Sequence, residues 1–162
     1  GGELMEYGCH LIAEGGVRMQ HDLVRPGLLV IGDAAGFTLN TGFTVRGMDL
    51  ATGSALAAAK VVDLALRSQD VGRGILDGYV SNCNDSFVGR DMSTYRNAPI
   101  FLKSPEMYGD IGRLAADILY RIYDLDMTPR KHLLPTMLSA MKSSKLSFPQ
   151  LISIGLRAVR AL

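Results

Sequence analysis

Hydrophobic and polar positions divide the chain into a first part with short apolar runs and a second part with helical periodicity. Residues 28–31 form a fully apolar run of branched side chains, which is typical of a buried parallel strand. Residues 7–13 form a further strand candidate, and residues 37–46 have no clear period and predict a loop. Residues 47–67 then predict one long helix whose interior is dominated by small side chains.

From residue 68 onward the apolar positions follow helical spacing. A loop is predicted over 68–74, and one helix face then repeats every four residues, through Ile75, Tyr79, Cys83 and Phe87. Cys83 lies on this stripe, so we expect it to be packed in the core.

The last third of the chain contains several helix start signals. Residues 89–104 predict an irregular connection, and Ser104 followed by Pro105 then predicts the start of a helix with apolar spacing over four turns. Two later prolines predict helices over 129–141 and 148–161. The fold class is therefore α/β, or an α+β fragment: residues 1–67 hold short strands, a turn and a helix, and residues 68–162 form a helical region.

Composition excludes several function classes. With 48% hydrophobic and 20% charged residues among 162, the chain is not generally disordered. The two cysteines form no CxxC pair, which excludes a zinc ribbon or a self-contained iron–sulfur domain and favours reduced thiols in a cytoplasmic protein. His10, His21 and His132 lack ligand spacing, so no zinc site is expected, and no GxSxG motif supports hydrolase chemistry.

Charge is unevenly distributed along the chain. Residues 1–126 carry 11 Lys and Arg against 16 Asp and Glu, whereas residues 127–162 carry six basic residues and no acidic one. Such a basic, apolar segment can dock on anionic lipid or on an acidic partner, or it can be an ordinary helical cap with a solvated basic face. We favour the ordinary cap for 129–141 and leave both interpretations open for residues 146–162.

The N-terminal sequence lacks an initiator Met and the pattern of a signal peptide. No window approaches 18 uninterrupted apolar residues, so no membrane span is expected. We interpret the chain as a fragment or a processed product.

The segment from the apolar run to the small-residue helix is the strongest candidate for chemistry. Asp33 follows a predicted strand, at the edge where open α/β sheets bind ligands, and its carboxylate would accept hydrogen bonds from hydroxyl groups. Gly32 and Gly36 permit close backbone approach, and Gly47 leaves free N–H groups at a helix start, which attract a negative oxygen. The alternative is an ordinary strand–turn–helix in which Asp33 caps the next turn, and the pattern alone slightly favours it.

The run Ile31-Gly-Asp-Ala-Ala-Gly36, followed by Gly42 and by Arg46-Gly-Met-Asp-Leu-Ala51, resembles the second FAD-binding motif of glutathione-reductase-type flavoproteins. Among these proteins the chain is most similar to the Fix-type electron transfer flavoprotein:quinone oxidoreductases. Residues 10–16 and 91–95 resemble further parts of the same proteins, so that the resemblance covers most of the chain.

The resemblance implies a role for each residue of this motif. Asp33 would accept hydrogen bonds from ribityl hydroxyls of FAD, and the backbone at Gly47 and Met48 would face the flavin pyrimidine. The turn that holds Asp33 would be shaped by its neighbours Gly32, Ala34, Ala35 and Gly36. Asp49 stands where many relatives have Asn, so we expect it to point away from the ring or to pair with Arg46.

The resemblance also implies an activity for a longer parent protein. An upstream strand with GxGxxG, which such proteins use for the FAD pyrophosphate, is absent, so the chain is interpreted as a C-terminal part that alone is inactive. The parent would accept electrons from electron transfer flavoprotein and pass them through a ferredoxin-like partner to quinone. It would be cytoplasmic, at the inner face of the cell membrane, with no nucleic acid partner.

Two alternatives remain at this stage. The parent would be an FAD-dependent prenyl (geranylgeranyl) reductase or a flavin hydroxylase, because both share the motif. From another class, the chain would be a helical interaction module without cofactor, which the charge-split C-terminal half supports.

Overall fold

A computed structural model describes residues 2–9, 11–125 and 127–162 of the chain. The described residues are mostly helical, with two small sheets, in agreement with a mixed fold. They form two compact units, Gly1–Pro99 and Ile100–Leu162. The division into domains at residues 67 and 68 stays a prediction.

Among the described residues, the first unit contains the four strands and the longest helix. Its strands are β1 (Val24–Arg25), β2 (Leu28–Leu29), β3 (Leu39–Asn40) and β4 (Val45–Arg46). Two 3-10 turns cover Gly16–Met19 and Gly32–Ala35. The helices are α1 (Met48–Ser68), α2 (Arg73–Leu76), α3 (Gly78–Asp85) and α4 (Phe87–Thr94), and α5 (Ala98–Leu102) spans the boundary between the units.

The prediction of a buried parallel strand over 28–31 is wrong. Only Leu28 and Leu29 are in a strand, and β2 pairs antiparallel with β1. Leu28 is 51% exposed and Ile31 is 42% exposed. A parallel strand is buried by neighbours and crossover helices on both faces. In the described part of the chain, β2 pairs only with β1, through a turn at Gly27 with a φ of 73°.

Two further local predictions are wrong. Residues 37–46, predicted as a loop, contain β3 and β4, which pair antiparallel over two residues each around a turn at residues 41–44. A two-residue ladder is too short to leave an alternating pattern. The described residues of the strand candidate 7–13 have no strand pairing, and His10 lies outside the described residues.

The small residues of α1 are explained by its packing. The helix begins one residue later than predicted and buries one face against α3 and α4. A Cβ atom at Gly53 would lie 2.5 Å from Cγ2 of Val88, so the backbone of α1 approaches α4 more closely than a larger side chain allows. The buried residues of this face are Leu50, Gly53, Ser54, Ala57, Ala58, Val61 and Ala65.

The predicted helix face from Ile75 to Phe87 is divided among three helices. Tyr79 and Cys83 are buried in the core of this unit, as expected for Cys83. Ser86 ends α3 and caps α4 by accepting from the N–H of Val88, and Phe87, the first residue of α4, is 46% exposed. The irregular connection predicted over 89–104 is wrong, because most of it lies in α4 and α5.

The second unit is built from amphipathic helices. After a 3-10 turn at Pro105–Tyr108 come α6 (Asp110–Tyr123), α7 (Leu133–Ser143) and α8 (Phe148–Ala161). Pro105 therefore starts a short turn rather than the long helix, and the helix predicted over 129–141 begins at Leu133. The start of α8 agrees with prediction and carries a capping box of Ser147 and Gln150. Among the described residues, no helix is long and apolar enough to cross a membrane.

Candidate functional site

The Gly-Asp-Ala-Ala-Gly segment forms a tight turn that depends on its two glycines. Gly32 has a φ of 61° and Gly36 a φ of 75°, both in the left-handed region. A Cβ atom at Gly36 would also lie 3.1 Å from the backbone carbonyl carbon of Met19. Ala35 is buried, whereas Asp33 and Ala34 are exposed on the outside of the turn. The turn therefore places the one carboxylate of the segment at the surface.

A buried hydroxyl fixes this turn against α1. The backbone N–H of Gly32 donates to Oγ of Ser54 across 3.0 Å, and Ser54 donates in turn to the carbonyl of Ala51. A Cβ atom at Gly32 would lie 3.4 Å from Cβ of Ala51. The turn and the first two turns of α1 thus form one connected structure.

The structure brings Asp33 and Gly47 together. A Cβ atom at Gly47 would lie 3.7 Å from Oδ1 of Asp33 and 3.9 Å from Cγ2 of Thr38. Within the described part of the chain, the carboxylate of Asp33 has no hydrogen bond or ion pair, and so does not form the cap that the alternative interpretation required. Met48, the first residue of α1, is 89% exposed. Asp33, Gly47 and Met48 therefore lie at one accessible edge.

The start of α1 adds hydrogen-bond donors to this edge. Gly47 is the N-cap, and its carbonyl accepts the N–H of Ala51, while the amides before Ala51 have no partner within the helix. The 21-residue helix adds the positive end of its dipole. This edge thus combines a carboxylate that can accept hydrogen bonds from hydroxyl groups with N–H donors that can bind an oxygen carrying negative charge.

Arg46, just before the N-cap, pairs with two carboxylates. Its Nε and Nη2 donate to Oδ2 of Asp49 at 2.8 and 2.5 Å, and its Nη1 donates to Oδ2 of Asp91 at 2.6 Å. Hydrogen bonding to these carboxylates raises the pKa of Arg46, and hydrogen bonding to Arg46 lowers the pKa of Asp49. The predicted Arg46–Asp49 pair is confirmed.

Sequence reasoning missed two residues around this edge. Asp91 lies 45 residues from Arg46, in a segment predicted to be irregular, so nothing in the local pattern connected them. Ser54 could have been found, because it is a polar residue on the buried face of α1 among glycine and alanine. Such a residue needs a hydrogen-bond partner, and here the partner is the turn.

The other titratable side chains considered for function are either buried in the core or lie outside any group of residues that could bind a metal ion. Tyr79 donates its hydroxyl to the carbonyl of Val30 across 2.9 Å, and burial raises the pKa of both Tyr79 and Cys83. Cys9 is exposed and free. Across the described ranges no group of three or more His, Cys, Asp or Glu could hold a metal ion.

Much of the basic charge in the second unit has a structural role. The guanidinium of Arg130 donates to the carbonyls of Ile122 and Asp124 at the end of α6, where cations are favoured. Arg121 pairs with Asp117 on its own helix and donates to Ser139 and Ser143 of α7. These contacts agree with an ordinary helical cap around 129–141.

Helix α8 differs from the region around 129–141 because it has two apolar faces. One face, including Leu151, Ile154 and Ala161, is half-buried or buried. The other is open to solvent, and its exposed fractions are 71% at Phe148, 49% at Ile152, 55% at Leu156 and 84% at Val159. We call these four residues the α8 stripe. By helical periodicity the basic residue Arg160 flanks this stripe, whereas Arg157 lies on the other side of the helix and has an ion-pair contact of 4.0 Å with Glu106.

Comparison with known proteins gives clear relatives, although no family model matches the chain. The chain is 38% identical over all 162 residues to the probable electron transfer flavoprotein-quinone oxidoreductase YdiS of Escherichia coli K12. It is 36% identical over the same length to the protein FixC of Salmonella typhimurium. The probable electron transfer flavoprotein-quinone oxidoreductase YgcN of Escherichia coli K12 is 33% identical over 123 residues, which cover 75% of the chain and 29% of YgcN. The chain spans 37% of the length of YdiS and of FixC, in their C-terminal part.

Proposed function

We propose that this chain, which belongs to the family of FixC-type electron transfer flavoprotein-quinone oxidoreductases, is the part of an FAD-dependent oxidoreductase that contacts the ribityl chain and the pyrimidine edge of the flavin. The parent protein accepts electrons from electron transfer flavoprotein. It passes them through a ferredoxin-like partner toward quinone.

One observation carries the proposal: the unpaired carboxylate of Asp33 lies beside Gly47 at the start of a long helix. The carboxylate accepts hydrogen bonds from ribityl hydroxyls. Gly47 has no side chain that could stand between Asp33 and a ligand. Gly32, Ala34, Ala35 and Gly36 shape the turn that presents Asp33, and Ser54 holds that turn in place.

FAD supplies the electron-carrying chemistry when it is bound. The N–H groups at Gly47 and Met48 donate to the pyrimidine edge of the flavin, where negative charge increases on reduction. Fixed donors at this edge favour the added charge and raise the reduction potential. In the proposed fold, residues 1–67 complete a glutathione-reductase-type FAD-binding domain, and the helices of 68–162 extend it.

The α8 stripe supports a membrane contact of the parent. Four exposed apolar residues are flanked by Arg160, in a segment of 36 residues that carries six basic and no acidic side chains. Interfacial helices combine these two features, and anionic headgroups attract the basic residues. We propose that residues 146–162 lie on the inner face of the cell membrane, where quinone is available to a cytoplasmic protein.

The names of two of the relatives given above, YdiS and YgcN, favour quinone oxidoreduction over prenyl reduction or hydroxylation. The test is to supply the full-length parent, under anaerobic conditions, with reduced electron transfer flavoprotein, with NAD(P)H, or with NAD(P)H and a geranylgeranyl substrate. The proposal predicts that bound flavin is bleached rapidly by reduced electron transfer flavoprotein alone. Bleaching by NAD(P)H with no response to electron transfer flavoprotein would replace it with the reductase or hydroxylase alternative.

A further inference from the structure

The ion pairs of Arg46 connect three elements at the proposed flavin edge. Arg46 ends β4 and immediately precedes Gly47, Asp49 is the second residue of α1, and Asp91 lies on α4. Both carboxylates accept charge-assisted hydrogen bonds from one guanidinium, at 2.5 to 2.8 Å. One side chain thus fixes where the donor residues Gly47 and Met48 lie relative to the helices behind them.

The ion pairs of Arg46 also determine the net charge beside the proposed pyrimidine edge. Asp49 lies one residue from Met48, and its carboxylate is about half exposed, whereas the Arg46 side chain is only 26% exposed. An unpaired carboxylate so near the proposed pyrimidine edge would repel the negative charge that a flavin gains on reduction. Arg46 supplies the only cation in contact with Asp49 in the described part of the chain. Two carboxylates share this one guanidinium, so its loss would leave both without a partner.

We propose that Arg46 is a positioning residue: it neutralises Asp49 and fixes the start of α1 to α4, and thereby keeps the flavin edge favourable to the reduced cofactor. This inference rests on the proposed function. It concerns Arg46, which acts through Asp49 and through the backbone at Gly47, and it assigns no direct contact between Arg46 and the flavin.

The test measures the midpoint potential of bound flavin in the full-length parent, by equilibration with a reference dye. Arg46→Gln should weaken binding of the reduced flavin relative to the oxidised flavin by roughly tenfold, which lowers the potential of a two-electron couple by about 30 mV. Adding Asp49→Asn to Arg46→Gln should return the potential toward that of the wild type, because the unpaired charge next to Met48 is gone, although Asp91 stays charged on α4. Asp91→Asn leaves the Arg46–Asp49 pair intact. It should therefore lower the melting temperature of the protein while the midpoint potential of the flavin stays close to that of the wild type.

A purely structural role of Arg46 predicts a different set of results. The double variant would then be no better than Arg46→Gln, and a wild-type potential in Arg46→Gln would likewise overturn the proposal. If Arg46→Gln fails to fold, the single variant Asp49→Asn tests the proposal instead. It leaves the guanidinium of Arg46 without its nearest carboxylate, so it should raise the midpoint potential of the flavin. An unchanged potential contradicts the proposal.

The proposed flavin site is tested separately in the same protein. If Asp33→Ala loses FAD while Arg46→Gln keeps the wild-type potential, only the inference about Arg46 fails. If Asp33→Ala keeps full FAD affinity, the site itself is misplaced. Melting of the flavin-free parent gives a readout of the Arg46 contacts without cofactor, and Arg46→Gln should melt at a lower temperature than the wild type.

Discussion

The backbone N–H of Gly32 donates to the hydroxyl of Ser54 across 3.0 Å, and this one bond ties the Gly-Asp turn to the helix whose start faces Asp33. Ser54 is fully buried and donates onward to the carbonyl of Ala51. The relative position of the carboxylate and the N–H donors therefore depends on a residue that touches neither. Stability and site geometry are linked through Ser54.

Ser54→Ala should destabilise the protein by about 1–3 kcal/mol, because the buried N–H of Gly32 loses its acceptor. Urea unfolding followed by circular dichroism measures the change. Ser81→Ala, at an exposed position of α3, is the matched control and should change the unfolding free energy by no more than about 0.5 kcal/mol. Equal stability of the two variants would contradict the assigned role of Ser54.

Gly53 and Gly155 are both helical glycines and should respond oppositely to alanine. At Gly53 a Cβ atom meets Val88 at 2.5 Å, so Gly53→Ala should cost about 1–3 kcal/mol in spite of the better helix propensity of alanine. At Gly155 nothing lies within 4 Å, so Gly155→Ala should stabilise the protein by up to about 1 kcal/mol. A higher melting temperature for Gly53→Ala than for the wild type would show that α1 and α4 are not closely packed.

The Arg46–Asp49 pair should make the free energy of unfolding depend on pH in the acid range. The pair lowers the pKa of Asp49 in the folded state, so its stabilisation is fully present above the unfolded value of about 3.9 and is lost as the pH falls through the lower folded value. Asp49→Asn should therefore be less stable than the wild type above this window, by about 0.5–1 kcal/mol for a partly exposed pair, and nearly equal below it. The measurement is the free energy of unfolding against pH, with Asp85→Asn as the control. A constant difference at every pH would rule out the pair as its source.

The α8 stripe should control membrane binding. Ile152→Ser combined with Leu156→Ser should abolish sedimentation of the parent with phosphatidylglycerol vesicles, because it removes two exposed apolar contacts without changing charge. Leu134→Ser, at a similarly exposed leucine of α7, is the control and should sediment like the wild type. Neutral phosphatidylcholine vesicles should bind more weakly than anionic ones. Retained sedimentation of the double variant would remove the basis for a membrane contact through α8.

Local patterns predicted the long helices and the order of turn and helix around Asp33. The start of α1 and the whole of α8 were within one residue of their predicted bounds, since caps and small-residue or apolar periodicity lie in adjacent residues. The pairing of Arg46 with Asp49 was also predictable, because the two are three residues apart at a helix start.

The rest depends on distant contacts. The apolar run at 28–31 has the composition of a buried strand, but burial requires neighbouring strands, and β2 pairs only with β1 in the described residues. Asp91 reaches Arg46 only because α4 packs closely against α1, where a Cβ atom at Gly53 would lie 2.5 Å from Cγ2 of Val88. No local pattern encodes this packing. The break at Ser86 that divides α3 from α4 falls within an unbroken apolar period, so that period predicted one helix instead.

The most direct measurement of the central claim is a titration of FAD into the deflavinated parent protein, for the wild type, Asp33→Ala and Asp85→Ala. Asp85 is an exposed aspartate on α3, outside the residues assigned to the flavin edge. Because Asp33 accepts hydrogen bonds as a charged group, its loss should weaken FAD binding by about 10- to 100-fold, while Asp85→Ala binds like the wild type. Equal FAD affinity in Asp33→Ala and wild type would contradict the assignment of this edge to the flavin.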